Sequence, residues 1–453
     1  MTQTNVFQLQ ILRIILTAFL IGSAVSACIP LHLPSATPTA TASTTPMATR
    51  TLLPTLTPSP TSAIQLSEEQ LRGVTIRFWH PYSGELGATL DQLAGEFSRQ
   101  NQWNLSVVSE SVNGIDFLEE RMKTALDQET LPNLVIAPLY QALEWNQSRP
   151  LLVDWTVYSE DVLWGVPPLE RELFYPNVWE ASVVQGQRWG IPARRVAQLL
   201  LYNASWANEL GFKAAPKTST EFQQQACAVR SDGGHNDSNG SRGYLFTHDY
   251  PTIFGWFMAF GAQITRSGEE SYQFKSAEVQ SAMVFLRKLF EQGSSAQLQL
   301  VEQAMENARN QDRWTVLPFP TANGEGSTVL YGTDYLLLRS SKREELATWL
   351  FVRWLLEKEN QQRLAVETLA LPLRRDVGEA LQNEMNVPPG YRAAIEYLPL
   401  GVNEPLWASW DKVRWAVGDS SRQLVAWYFT LEQMPSLLEL LDKTAADLRA
   451  RQP

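Results

Sequence analysis

The chain has 453 residues with 37 basic and 48 acidic side chains, giving a net charge of −11 and an isoelectric point near 5.1. That balance argues against nucleic acid or an anionic lipid surface as a partner. Only 2 cysteines are present, and no CxxC or Cys/His metal spacing exists, so no metal or cofactor is expected; the unusual count is tryptophan, at 16.

The N-terminal residues read as a targeting segment. Arg13 precedes the apolar run IILTAFLIGSAV, which is too short to span a bilayer comfortably, and small residues follow. The stretch ends Val25-Ser26-Ala27-Cys28, which resembles the lipobox of bacterial lipoproteins, in which the cysteine becomes the lipid-modified new N-terminus. On this reading residues 1–27 are the signal peptide and Cys28 the lipidation site, leaving Cys227 as a buried thiol without a disulfide partner. An ordinary signal peptide, with Cys28 incidental, is the other reading. Residues 34–62, PSATPTATASTTPMATRTLLPTLTPSPTS, are nearly uncharged and rich in proline, a composition that cannot form a core and favours extended chain. Residues 28–72 are thus expected to be a spacer.

The body, from about Gly73 to Arg449, is longer than one core usually serves, so two lobes are expected. The run VTIRFW alternates as a half-buried strand, and the turn HPYSG leads into a helix carrying Leu86, Leu90, Leu93 and Phe97. LSVVSE reads as a strand, FLEERMKTAL as a helix, and NLVIAP as a fully apolar strand of the buried parallel type. Such a β-α-β-α-β succession argues for a parallel sheet, which places ligands beyond the carboxyl ends of its strands. A second region opens at Trp189-Gly190-Ile191-Pro192 and continues into the strand QLLLYN. The loop over residues 231–243 lacks the ligand spacing of an EF-hand. YLFTHDYPTIFGWFMAFGAQI adds an aromatic cluster, WTVLPFP and TVLYGTDYLLLRSS read as strands, and a helix carrying Leu346, Trp349, Leu350, Val352 and Leu355 follows.

The order of these pieces over about residues 73–449 resembles the extracellular solute-binding proteins of ABC importers, in the sugar-binding branch typified by maltose-binding protein. The blocks that carry the resemblance are VTIRFWHPYSGELGATLDQLAGEF, LPNLVIAP, GIPARRVAQLLLYN with ELGFKAAPKTSTEF, WTVLPFP, YGTDYLLLRSSKREELATWLFVRWLLEKENQQRLA and LALPLRRDV. The resemblance implies an α/β, two-lobe periplasmic-binding-protein fold (type II, Venus-flytrap) with crossing hinge strands. It puts residues 73–194 and 314–368 in the first lobe and 195–313 and 369–449 in the second, with crossings near Pro192–Arg195, Trp314–Pro318 and Leu371–Leu373. Against the family pattern, a strand of the second lobe is missing after Gly293, and Ser294 and Ser295 stand where a binding turn would be.

The implied function is a membrane-tethered receptor, monomeric, that traps a sugar, polyol or glycerol phosphate between its lobes and delivers it to permease subunits. Sugars need aromatic platforms and planar hydrogen-bonding side chains. Candidates from the first lobe are Trp79, His80, Tyr82 and Ser83 at the first strand end, Tyr140 at the third, and Gly332 and Asp334 at the fourth. Arg194 or Arg195, Asp249, Tyr250 and Trp256 are the second-lobe candidates, and Trp410, in EPLWASWDKVR, falls where the family places a stacking platform. Two other classes stay open: a lipoprotein that kept the fold and lost its ligand, and a tethered glycoside hydrolase, for which no catalytic motif is seen.

Overall fold

A computed structural model describes residues 61–231, 243–266, 269–291, 295–296, 312–384 and 387–451. The lipobox, Cys28 and residues 28–60 of the expected spacer lie outside them, as do most of the acidic loop and residues 292–294 and 297–311, so the expected loss of a strand after Gly293 falls mostly outside the described residues; Ser295, expected in a turn, lies in a two-residue strand. No helix among the described residues is long and apolar enough to cross a membrane.

The elements that position the site, in chain order, are α1 (Glu68–Leu71), β1 (Thr75–His80), α2 (Gly84–Gln100), β2 (Ser106–Ser111), α3 (Ile115–Gln128), β3 (Leu134–Ala137) and α4 (Leu139–Ser148). They continue with β4 (Ile191–Gln198), β5 (Leu200–Asn203), β6 (Tyr244–Leu245), α5 (Tyr250–Ala259), α6 (Ala277–Glu291), β7 (Ser295–Ala296), β8 (Trp314–Leu317) and β9 (Thr328–Leu337). Last come α7 (Lys342–Leu355), α8 (Lys358–Thr368), β10 (Gly401–Asn403), α9 (Trp410–Leu424) and α10 (Met434–Ala450).

The main sheet runs β10-β9-β3-β1-β2, with β4 paired to β9. β1 is parallel to both β2 and β3, as the helical crossovers through α2 and α3 require, while β9 runs antiparallel to β3 and β4. The sequence of β1 explains how both faces of this sheet are covered. Ile76 and Phe78 join a core with Leu90, Leu93, Ile136, Trp349 and Phe351, whereas Trp79 turns to the other side and packs with Leu118, Met122 and Leu139. A second core gathers Ile253, Trp256, Phe257, Leu286, Trp410, Val413 and Leu438. In that lobe β5 pairs with β8, and Ser295–Ala296 pairs in parallel with Tyr244–Leu245.

Two details of packing bear on the lobe boundaries. Leu371, Leu373, Val377, Leu381 and Leu398 are buried with the sheet-based core of the first lobe, while residues from Trp410 to Ala445 supply the second. At the other end, Ile64 and Leu66 pack against the first core and Leu71 is fully buried in it. Asp161 fixes this leading segment: one carboxylate oxygen accepts from Ser62 Oγ at 2.8 Å and from the Ala63 N–H at 3.0 Å. The other accepts from the N–H groups of Leu163 and Trp164 at 2.9 and 3.0 Å.

Candidate functional site

β4 and β9 lie side by side as an antiparallel pair, and they approach closely. A side chain at Gly332 would place its Cβ 2.0 Å from the Arg194 carbonyl oxygen, so this glycine serves the strand contact. Next to it, Arg195 and Asp334 form a buried ion pair, Nη2 to Oδ1 2.7 Å. The remaining valences are met inside the protein: Arg195 Nη1 donates to the Thr333 carbonyl at 2.6 Å, and the Ser182 hydroxyl donates to Asp334. Neither charge of this pair is left for a ligand. Arg194, one residue earlier, is partly exposed, and its Nε has no hydrogen-bond partner.

The first strand end is arranged differently from what its aromatic content suggests. Trp79 is buried against α3, and the Arg121 guanidinium sits 4.1 Å above its ring. His80 is buried as well, its Nε2 3.2 Å from Asp91 Oδ1; loss of hydration pulls its pKa down despite the carboxylate. Tyr82 is hydrogen-bonded to the Thr333 hydroxyl and, through burial, has its pKa pushed up to about 12. Ser83 is exposed at the cap position of α2 and makes no side-chain capping bond. His80 and Tyr82 thus link β1 to α2 and β9, while Trp79 packs on α3 and Ser83 faces solvent.

The richest polar arrangement lies between the C-terminal end of β3 and the start of α9. Tyr140 follows β3, and its hydroxyl accepts from Arg414 Nη1 of α9. The Arg414 guanidinium stands over three rings, 4.8 Å from the centroid of Tyr140 and 5.3 Å from those of Tyr250 and Trp415. Asp411, one helical turn earlier, accepts from Arg414 Nη2 at 2.9 Å. Glu404 completes the group: Trp410 Nε1 donates to its Oε1 at 2.8 Å, and the Tyr250 hydroxyl is a second partner. Tyr250 begins α5, whose first turn is capped by Asp249 accepting from the Thr252 N–H at 2.9 Å. Lys412 lies within electrostatic reach of Glu119 on α3 and Glu144 on α4, so acidic groups of one lobe oppose a cation of the other. Loops and helices of both lobes therefore converge on Tyr140, Tyr250, Glu404, Trp410 and Arg414, with Tyr331 and Arg194 electrostatically coupled to the same region.

Of the residues expected from sequence, Tyr140, Tyr250 and Trp410 come together here. Asp249 is adjacent as a helix cap, while Trp256 is fully buried and donates to the Tyr244 hydroxyl at 2.9 Å. Trp410 has no exposed surface; its indole N–H, spent on Glu404, is what it contributes to the edge of the site. Glu404, Arg414 and Tyr331 were not singled out in the sequence. The i, i+4 spacing of Trp410 and Arg414 in WDKVR puts both on one face of a helix and is the signal that finds the arginine.

Loss of hydration is the largest influence on Glu404 and raises its pKa above the ordinary 4.5, against the opposing pull of Trp410 and Arg414. A carboxyl that holds its proton more tightly folded than unfolded lowers stability as pH rises from the unfolded value through the folded one. The Glu404→Gln variant is accordingly expected to be more stable than the parent at neutral pH and to lose less stability between acidic and neutral pH. Urea unfolding at both pH values checks this; a parent whose stability rises over that range through Glu404 would refute it.

The model of the family described as bacterial extracellular solute-binding protein matches residues 80–362. The chain belongs to this family. Among curated proteins this solute-binding protein has no match. Its fold is that of solved sugar-binding proteins. The sugar-binding protein MalE of Xanthomonas citri is 18% identical with a TM-score of 0.72, over 83% of this chain and 98% of that one. The cyclic α-maltosyl-1,6-maltose binding protein of Arthrobacter globiformis is 16% identical with a TM-score of 0.69, over 83% and 99%. The maltotriose binding protein of Thermus thermophilus, bound with maltotriose, is 17% identical with a TM-score of 0.56, over 82% and 99%. The family and fold establish the two-lobe α/β architecture expected from the sequence, in an extracellular binding protein.

Proposed function

We propose that this solute-binding protein is a receptor that closes its lobes over a carbohydrate and delivers it to an ABC permease, held at the membrane by a lipid on Cys28. The observation that carries the ligand class is the meeting of Tyr140, Tyr250 and Trp410 around Arg414 and Glu404, drawn from both lobes. The accessible faces of Tyr250 and Trp415 suit the C–H surfaces of a sugar, the buried Tyr140 and Trp410 hold Arg414 and Glu404 in place, and the guanidinium and carboxylate supply a donor fork and an acceptor for its hydroxyls. Binding of malto-type sugars by the solved proteins of the same fold supports the choice. The two carboxylates that a hydrolase reading would use are already engaged, Asp249 as a helix cap and Asp334 in its ion pair. The lipobox-like VSAC28 and the proline-rich spacer support tethering, since such a receptor works in the water beside its membrane.

Thermal unfolding with glucose, maltose, maltotriose and glycerol 3-phosphate tests the ligand class. A sugar at about a hundred times its Kd is expected to add about 2.7 kcal/mol of stability. Stabilisation by glycerol 3-phosphate alone would move the assignment to an anionic ligand, and no response to any of the four would overturn it.

A further inference from the structure

α9 carries Trp410 and Arg414 at its start and ends at Leu424, about 20 Å farther along its axis. The turn that follows is Ala426-Trp427-Tyr428-Phe429, closed by the Phe429 N–H donating to the Ala426 carbonyl at 3.0 Å. Its two central positions, of a kind that usually takes Gly, Pro, Asn, Asp or Ser, are held by tryptophan and tyrosine. Trp427 is 90% exposed and Tyr428 62%, their ring centroids 5.7 Å apart.

The turn is braced from below. Arg287 of α6, itself buried, donates from Nη1 to the carbonyls of Leu424 at 2.7 Å and Ala426 at 3.0 Å. Phe429 is buried in the second core, its ring 5.8 Å from the same guanidinium. Just beyond, the Gln433 side chain accepts from the Thr430 N–H at 2.9 Å. A buried arginine and a buried phenylalanine thus hold two rings out in water.

The chemistry of this tip selects its partner. Two rings offer at most about 500 Å², short of the roughly 800 Å² that each side of a stable protein interface buries. Phe290 and Leu431, each 38% exposed, extend this little, and the exposed neighbours Gln423, Thr430 and Glu432 are polar. A lipid interface needs no such area. A projecting tip enters it alone, and Trp and Tyr favour the headgroup level, where the ring is sheltered while the indole N–H or phenol hydroxyl stays wet. The two rings carry no charge, and a chain of net charge −11 is repelled by an anionic surface, so the fit is to a zwitterionic one. Residues 28–60, at about 3.1 Å per residue when extended, reach about 100 Å, so a tether on Cys28 leaves the second lobe free to meet the bilayer.

We infer that Trp427 and Tyr428 form a knuckle that inserts at the headgroup level of a zwitterionic bilayer and rests the second lobe on the membrane; the nearness of that membrane is taken from the tether in the proposed function. The test anchors the chain from residue 28 onward to phosphatidylcholine vesicles through a maleimide lipid on Cys28, with Cys227→Ser throughout so that no second thiol reacts. The packing described lies within residues 61–451 and is retained. p-Benzoylphenylalanine replaces Tyr428 or, as a control, Val108 of β2, which is 54% exposed, and is photolysed. Lipid adducts are expected at position 428 at least about tenfold above position 108, and to fall about tenfold with Trp427→Ala, as the loss of one buried ring dictates. High salt should leave the yield unchanged, since no charge takes part. Equal yields at the two positions, or a yield at 428 that ignores Trp427→Ala, would overturn the inference. So would a yield that collapses in high salt, or adducts joining two copies of the chain in place of lipid. Because the anchor is attached chemically and no sugar is present, the outcome depends neither on lipidation in the cell nor on the ligand of the cleft.

Discussion

Replacing Asp334 with alanine is expected to destabilise the protein by about 3–5 kcal/mol, the range for removing one partner of a buried ion pair. Both side chains of the Arg195–Asp334 pair are about 5% exposed, so water cannot take over the orphaned guanidinium. Asp334 also accepts the Ser182 hydroxyl, and Arg195 donates to the Thr333 carbonyl, so the loss spreads to β4, β9 and the segment before them. Urea unfolding followed by tryptophan fluorescence measures it. The double replacement Arg195→Met with Asp334→Leu should recover much of the loss, because two apolar groups leave no charge stranded. A change within about 0.5 kcal/mol for Asp334→Ala, as for an exposed pair, would show that the pair is hydrated in solution.

The Arg414→Ala variant is expected to lower sugar affinity by about a hundredfold, corresponding to roughly 2.7 kcal/mol. Arg414 touches Tyr140 of one lobe and Tyr250 and Trp415 of the other, so its removal strips both a donor fork and the centre of an aromatic cluster. Arg414→Lys should recover little, since an ammonium cannot reproduce the planar, two-pronged donor. Calorimetric titration with a sugar that stabilises the parent provides the measurement, with circular dichroism confirming the fold. Unchanged affinity would remove Arg414 from the site and leave its bond to Tyr140 as a purely structural lobe contact.

The architecture was legible because it rests on periodicity. Ile76 and Phe78 alternate with exposed partners, Leu90, Leu93 and Phe97 recur at helical spacing, and LVIA is apolar throughout, which together dictate a parallel sheet covered by helices. The site was legible only in part. Tyr140, Tyr250 and Trp410 stood beside strand or helix ends, where ligands gather. Trp79 stood at such an end too, but the strand's alternation turned it into the space above α3, where Arg121 covers it. Whether a side chain at a strand terminus meets the cleft or the next helix depends on the angle of that helix, which one-dimensional spacing does not carry. Arg194 and Arg195 illustrate the same point: adjacent residues of one strand alternate, and the partner that selects between them, Asp334, lies 139 positions away. Glu404 and Arg414 were missed because charged residues near a helix start are common on any surface, and only their convergence with rings from other segments marks them.

The bonds of Ser62 and Ala63 to Asp161 have a mechanical meaning. Tension applied to the chain ahead of Ser62 enters the body at Asp161, whose other oxygen is tied to the backbone of Leu163 and Trp164. Trp164 is in turn braced by Trp349 of α7, so the load path runs into the largest core and not into the second one. A body pulled from this point would swing as a unit without being pried open.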